Sequence, residues 1–144
     1  MSLIRRPRLI NRQPAEAAGL REELAAGLLA PAAHVSPKFL YDSLGSRLFE
    51  AITEVEEYYP TRTEAGIFNA YAEQIGASIG PGCTLVDLGA GNCAKASSLF
   101  PSLQPARYVA VDISVDFLAS ALDYLQFRHP AMDITGVGSD FSSE

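Results

Sequence analysis

An apolar run that leads into a glycine turn is the part of the chain best suited to hold a ligand. Leu85-Val86-Asp87-Leu88 predicts a buried strand, and Gly89-Ala90-Gly91 follows it directly. Glycines adopt backbone angles that other residues avoid, and they let a ligand approach the main chain. The polar stretch up to Lys95 can open a helix, whose N-terminus offers unpaired N–H groups. The segment therefore predicts a cradle for a nucleotide-like cofactor.

A second acidic residue supports this interpretation. Asp112 ends the run Tyr108-Val109-Ala110-Val111 and follows the glycine turn by about 20 residues, the offset at which an acid meets ribose hydroxyls in nucleotide-binding folds. A carboxylate suits that task because it can accept two hydrogen bonds from a vicinal diol. The alternative is a glycine turn that only packs a helix against the sheet.

Composition limits the classes of partner. The chain has 144 residues with 11 basic and 17 acidic side chains, so its net charge of −6 argues against a nucleic-acid ligand. No stretch approaches the 18 or so apolar residues that a membrane span requires. Cys83 and Cys93 form no CxxC motif, which argues against a disulfide framework and a metal site. We therefore expect a soluble protein of a reducing cytoplasm.

The first half of the chain reads as helical. Residues 1–14 lack a clear period and predict a flexible arm, and residues 15–29 predict an amphipathic helix. Ser36-Pro37 predicts the start of a second helical segment with a break at Asp42 or Gly45. A third helix is expected to begin with a capping box from Thr61 to Glu64 and to end at Gly80-Pro81-Gly82.

The second half alternates strands and helices. After the turn, a short helix precedes a strand over 107–112, a helix capped by Ser114 runs to Pro130, and a weaker strand covers 133–137. Such alternation predicts an α/β domain with a parallel sheet. We expect three strands, and their open apolar edge would be a liability in water.

Three motifs in this half resemble those of class I S-adenosylmethionine (SAM)-dependent methyltransferases. Asp87-Leu88-Gly89-Ala90-Gly91 resembles their first motif, whose loop wraps the amino-acid end of the cofactor. Val111-Asp112-Ile113-Ser114 resembles the second, whose acid holds the ribose, and Gly138-Ser139-Asp140-Phe141 resembles the third, where an acid and an aromatic ring meet the adenine. A dinucleotide-dependent oxidoreductase, which would need no such Asp-Phe pair, is the other enzyme class considered.

The upstream half resembles the histidine-specific methyltransferases that trimethylate the histidine α-amine in ergothioneine synthesis. The resemblance covers about residues 20–142, and its most specific part is Tyr58-Tyr59-Pro60-Thr61-Arg62. It implies a SAM-dependent enzyme that acts on the α-amine of histidine or a related amino acid. Asn92-Cys93-Ala94 departs from the small hydroxyl residues expected between the glycines and Lys95.

The resemblance also implies the residues of the site. It assigns substrate binding to Tyr41, Phe49 and Tyr58, with Tyr58 near the imidazole and the other two near the reacting amine. It implies no catalytic side chain and no metal ligand, because methyl transfer from a sulfonium is an in-line displacement. The implied cofactor-binding residues are Asp87, Gly89, Ala90, Gly91, Lys95, Asp112, Asp140 and Phe141.

The resemblance implies three regions. We expect a flexible arm over 1–14, a helical region over 15–82 that contributes to the acceptor site, and over 83–144 the first half of a Rossmann-like SAM-binding domain. A full class I sheet has more strands, so the chain is interpreted as part of a longer enzyme, or as a half whose edge an oligomer or a C-terminal half covers. A non-catalytic SAM-binding or interaction module is the alternative.

Overall fold

The computed structural model describes residues 5–13 and 17–141, with the side chains of residues 17 and 18 excepted. Within them, a single-turn 3₁₀ helix spans Pro37–Leu40. The strands are β1 (Arg8–Asn11), β2 (Thr84–Leu88), β3 (Arg107–Asp112) and β4 (Asp133–Gly138). The helices are α1 (Ala17–Leu28), α2 (Ser43–Thr53), α3 (Pro60–Ile79), α4 (Ala94–Ser98), α5 (Phe100–Leu103) and α6 (Val115–Arg128).

The strands form one parallel sheet in the order β1-β4-β3-β2. In register, Asp87 of β2 lies opposite Ala110 of β3, and Asp112 lies opposite Gly138 of β4. The carboxyl ends of β2, β3 and β4 therefore meet at one edge of the sheet, where ligands bind in open α/β folds. The expected α/β class with a parallel sheet is confirmed.

The first strand departs from the sequence prediction. The arm expected over residues 1–14 contains β1, in which Leu9 pairs with Gly136 and Ile10 pairs with Val137 of β4. The described sheet thus has four strands where three were expected, and β4 is not an edge strand. Local patterns offer little signal for β1, because a four-residue strand gains its stability from the pairing and carries no clear alternation of its own.

Helices cover the face of the sheet that carries the core. Tyr108, Ala110 and Ile134 of β3 and β4 are almost fully buried, and Leu118 and Leu122 of α6 pack against the same cluster. Burying a side chain of this size contributes about 1.5–3 kcal/mol. A glycine at position 136 lets α6 approach, because a Cβ there would overlap the side chain of Leu122.

The opposite face of β2 is open. Val86 and Leu88 point away from the core cluster and are 54% and 59% exposed. Parallel sheets are normally covered on both faces, so two large apolar side chains in this position are unusual. This exposed apolar surface lies on one face of β2, which is also an edge strand of the described sheet, and the open apolar edge expected from the sequence stays a prediction.

The starts of two N-terminal helices can be compared with the sequence prediction, which holds for one and fails for the other. The break expected near Asp42 is confirmed, since its side chain accepts a hydrogen bond from the Gly45 amide at 2.7 Å and caps α2. The capping box from Thr61 to Glu64 is wrong, because α3 already begins at Pro60. Proline suits that first position, where the N–H has no helical partner, so Thr61 lies inside the helix.

The remaining predicted elements agree closely with the structure. Gly80 ends α3 with a φ of +82°, and β3 has the bounds expected from the sequence. Ser114 precedes α6 as expected, although its side chain makes no capping hydrogen bond. In the described part of the chain, no helix combines the length and apolar character needed to cross a membrane.

Candidate cofactor and acceptor site

The glycine turn is held against the end of β3 by backbone hydrogen bonds. The amides of Gly89 and Ala90 both donate to the Val111 carbonyl, at 2.8 and 3.1 Å. Gly89 and Gly91 have φ values of +74° and +52°, which side-chain-bearing residues rarely adopt. The turn therefore needs glycine at both positions, as the sequence predicted from their type.

The carboxylate of Asp112 accepts hydrogen bonds from two neighbouring turns. Its Oδ2 accepts from the Gly91 amide and its Oδ1 from the Ser114 amide, both at 2.8 Å. Each carboxylate oxygen can accept more than one hydrogen bond, so both keep capacity for a ligand hydroxyl. Asp112 is thus placed both to shape the glycine turn and to contact a ligand that lies on it.

The turn after β4 lies beside the glycine turn and the end of β3. The Ser139 amide donates to the Asp112 carbonyl at 3.1 Å. The Phe141 ring lies against the glycine turn, since a Cβ added to Gly89 would be 3.8 Å from its Cζ. The structure therefore brings Gly89, Asp112 and Phe141 together from three separate turns.

The three predicted acceptor residues form one aromatic cluster. The ring centroids of Tyr41 and Phe49 are 6.2 Å apart, and those of Phe49 and Tyr58 are 5.9 Å apart, with interplanar angles of 74° and 81°. These edge-to-face arrangements lie in the favoured range for aromatic pairs. Tyr41 and Phe49 are each 40% exposed, so the cluster can contact a ligand.

Polar contacts join the N-terminal helices to the predicted cofactor-binding region, which comprises the glycine turn, the start of α4 and the turn after β4. Lys38 of the 3₁₀ helix lies 3.4 Å from the Asp140 carboxylate, and Asn92 of the glycine turn donates to Glu50 of α2 at 2.8 Å. The third contact is the ion pair of Glu64 of α3 with Lys95 of α4, at 3.5 Å. Because Glu50 follows Phe49 directly, the Asn92–Glu50 bond connects the aromatic cluster to the glycine turn.

Two residues with positioning roles were missed by the sequence reasoning. The guanidinium of Arg62 donates to the carbonyls of Val55 and Glu56, and so it holds the loop that carries Tyr58. Lys38 also pairs with Glu23 of α1 at 2.6 Å, and this hydrogen bond raises the pKa of Lys38. Arg62 ends the string Tyr58-Tyr59-Pro60-Thr61-Arg62, and Lys38 lies in Pro37-Lys38-Phe39-Leu40-Tyr41-Asp42, a second string that resembles the same family, and this resemblance was the available signal.

The departure at Asn92-Cys93-Ala94 has a structural explanation. The Asn92 side chain accepts from the Ala94 amide at 3.0 Å and so caps the start of α4 while it bonds Glu50. Cys93 has a φ of +61° and is 1% exposed, packed in the core below the turn. Burial raises the pKa of the Cys93 thiol to about 11, so it stays protonated at neutral pH.

The two cysteines should differ in reactivity. We expect a thiol-specific reagent at neutral pH to modify the more accessible Cys83 and to leave Cys93 unmodified until the chain unfolds, because Cys93 is buried and protonated. Counting thiols by absorbance before and after denaturation, with Cys83→Ser as the control, measures this. Fast modification of Cys93 in the folded protein would contradict the described packing.

Within residues 5–13 and 17–141, no group of three or more His, Cys, Asp or Glu side chains is placed to hold a metal ion. The chemistry-bearing groups of the described site are instead backbone amides, carboxylates, two lysines and aromatic rings.

Sequence comparisons define the class of protein. The sequence pattern of the family described as "Histidine-specific methyltransferase, SAM-dependent" matches residues 20–144, so the chain belongs to this family. SAM is accordingly the expected cofactor. The open glycine turn, the paired acid at the end of β3 and the exposed ring of Phe141 fit such a group.

Individual relatives carry names within this class. The histidine N-alpha-methyltransferase of Mycolicibacterium smegmatis is 38% identical over 129 residues, covering 87% of this chain and 40% of the relative. The protein of the same name from Mycobacterium tuberculosis is 35% identical over 126 residues, covering 85% and 39%. A 4-dimethylallyltryptophan N-methyltransferase of Claviceps purpurea is 29% identical over 117 residues, covering 76% and 34%. The chain thus spans about 40% of the length of the first two relatives.

Proposed function

We propose that this chain supplies the SAM-binding part of an N-methyltransferase that acts on the α-amine of histidine or a related amino acid. The observation that carries the proposal is the Asn92–Glu50 hydrogen bond, which connects the glycine turn to the helix that holds Phe49. This bond supports the proposal that the glycine turn and the aromatic cluster belong to one site. Family membership and the names of the relatives support the same reaction class.

In this proposal the cofactor residues act by position. Gly89, Ala90 and Gly91 present backbone to the cofactor, Lys95 pairs with its carboxylate, and Asp112 accepts from the ribose hydroxyls. Asp87 stands at the amino-acid end, while Asp140 and Phe141 bind the adenine. SAM supplies an activated methyl group when it is bound. The chain contributes alignment and exclusion of water, which lower the entropic part of the barrier.

The aromatic cluster is proposed to hold the acceptor. Tyr58 orients the imidazole, and Tyr41 and Phe49 line the space around the reacting amine. The amine attacks only as the neutral base, so its proton passes to a base or to water. Histidine is the first acceptor to test, and a tryptophan derivative is a second because one relative is named for such a substrate.

The exposed face of β2 suggests that another surface packs against it. We propose that Val86 and Leu88 pack against further residues of a longer protein or against a second copy of the chain, because two apolar side chains more than half exposed are unfavourable in water. Light scattering after size-exclusion chromatography distinguishes these possibilities. A stable monomer with no tendency to associate would count against the second copy.

The proposed location is the cytoplasm. The free thiols of Cys83 and Cys93 suit a reducing compartment. Fractionation of cells that produce the tagged protein tests this, and recovery outside the cytoplasmic fraction would overturn it.

Calorimetry tests the cofactor assignment. We expect the chain to bind S-adenosylhomocysteine and to show no comparable affinity for NADH, which tests the oxidoreductase alternative. Mass spectrometry then tests transfer to histidine in the presence of SAM. Binding with turnover supports a self-sufficient enzyme, and binding without turnover supports the non-catalytic module or a part that needs its remaining chain. Absence of S-adenosylhomocysteine binding contradicts the proposal.

A further inference from the structure

The most buried aromatic side chain of the sheet carries a hydroxyl that points to the glycine turn. Tyr108 lies on the central strand β3, is 0% exposed, and packs edge-to-face on Phe100 with ring centroids 5.2 Å apart. Its hydroxyl donates to Oδ2 of Asp87 on β2 at 2.9 Å. Asp87 is the acid two residues before the glycine turn, which begins at Gly89.

The complete burial of the Tyr108 hydroxyl calls for an explanation. Phenylalanine would fill nearly the same volume, and burying a hydroxyl costs free energy unless it is hydrogen-bonded. Burial raises the pKa of Tyr108 well above its usual range, so the hydroxyl remains a donor at neutral pH. The same hydroxyl interacts with the thiol of Cys93, the residue that ends the turn. Tyr108 thus contacts the residues on both sides of the turn.

The hydrogen bond fixes one oxygen of a carboxylate that could otherwise rotate. With Oδ2 of Asp87 held by Tyr108, the direction of its second oxygen is determined. Asp87 lies near the end of β2, just before the chain enters the turn through Gly89, so a fixed carboxylate there lies next to the turn.

We propose that Tyr108 is a positioning residue for cofactor binding: through its hydrogen bond to Asp87 it orients that carboxylate toward the amino-acid end of the cofactor. This inference rests on the proposed function, since it assigns Asp87 to that end. The inference assigns Tyr108, a buried core residue, a contribution to cofactor affinity that its packing alone would not produce.

The test compares two ligands and two variants of the full chain. We expect Tyr108→Phe to weaken binding of S-adenosylhomocysteine about tenfold, the size of effect that loss of a hydrogen bond to a charged group supports. Binding of 5′-methylthioadenosine, which lacks the amino-acid end, should change less than about twofold. Ile134→Val is the matched control, because Ile134 pairs with Tyr108 in register and the change lowers core packing without removing a polar contact.

A ligand-free measurement completes the test. Amide hydrogen exchange over residues 89–93 should be faster in Tyr108→Phe than in Ile134→Val, while exchange in α6 should match between the two. Unchanged exchange in the turn, unchanged affinity for S-adenosylhomocysteine, or a parallel loss for both ligands would overturn the inference. If the parent chain binds neither ligand, the proposed function fails, and the cofactor role assigned to Tyr108 fails with it.

Discussion

Asp112→Ala should reduce the affinity for S-adenosylhomocysteine about 100-fold or more, or about 2.7 kcal/mol. The variant loses the acceptor of the Gly91 and Ser114 amides together with the proposed contact to the ribose. Two hydrogen bonds to a charged group are lost, each worth up to about 1.5–3 kcal/mol, but the site is only half-buried and water replaces part of them, so the free energy of unfolding should also fall by about 1–3 kcal/mol. Isothermal titration and urea unfolding measure the two effects.

Two control variants test whether the effect depends on the negative charge of Asp112 and on its position in the sheet. Asp112→Asn keeps one acceptor oxygen, so we expect an intermediate affinity. Asp133→Ala removes an exposed acid at the opposite end of the strands, whose ion pair with Arg107 at 3.1 Å is solvated. Such pairs contribute little, and binding should be unchanged. Equal affinities of the parent chain and Asp112→Ala would remove the basis for the ribose assignment.

Gly76→Ala and Gly66→Ala should change stability in opposite directions, although both lie in α3. A Cβ on Gly76 would overlap the backbone carbonyl of Ser102 in α5, and a backbone atom cannot move aside as a flexible side chain can. We expect a loss of about 1–3 kcal/mol from this overpacking. A Cβ on Gly66 meets no atom within 4 Å, so Gly66→Ala should gain about 0.5–1 kcal/mol from helix propensity.

Thermal and urea unfolding of the two variants measures this difference. The slope of the urea transition should remain that of the parent chain, which would show that the unfolded states are comparable. Stabilisation by Gly76→Ala would mean that α3 and α5 are further apart than described.

Local patterns were sufficient to predict most elements and the need for glycine in the turn after β2. The strand before Gly89, the acid at the end of β3 and the Asp140-Phe141 pair are each marked by residue type and spacing, and the carboxyl ends of parallel strands necessarily meet at one edge. The start of α2 at Asp42 was predictable because an aspartate side chain accepts from the first amides of a helix. The end of α3 at Gly80 was predictable because glycine adopts the positive φ that commonly ends a helix. The capping box predicted at Thr61 was wrong because Pro60 is already the first residue of α3.

The sequence by itself determined the α/β class, the glycine turn and, through its family motifs, the expected cofactor. Only the tertiary structure decided that Arg8–Asn11 joins the sheet, that Asn92 and Lys38 connect the N-terminal helices to the predicted cofactor-binding region, and that Tyr108 bonds Asp87. The reason is physical. A turn or a cap is stabilised within a few residues, whereas each of these contacts joins residues far apart in the chain and depends on packing that local patterns do not encode.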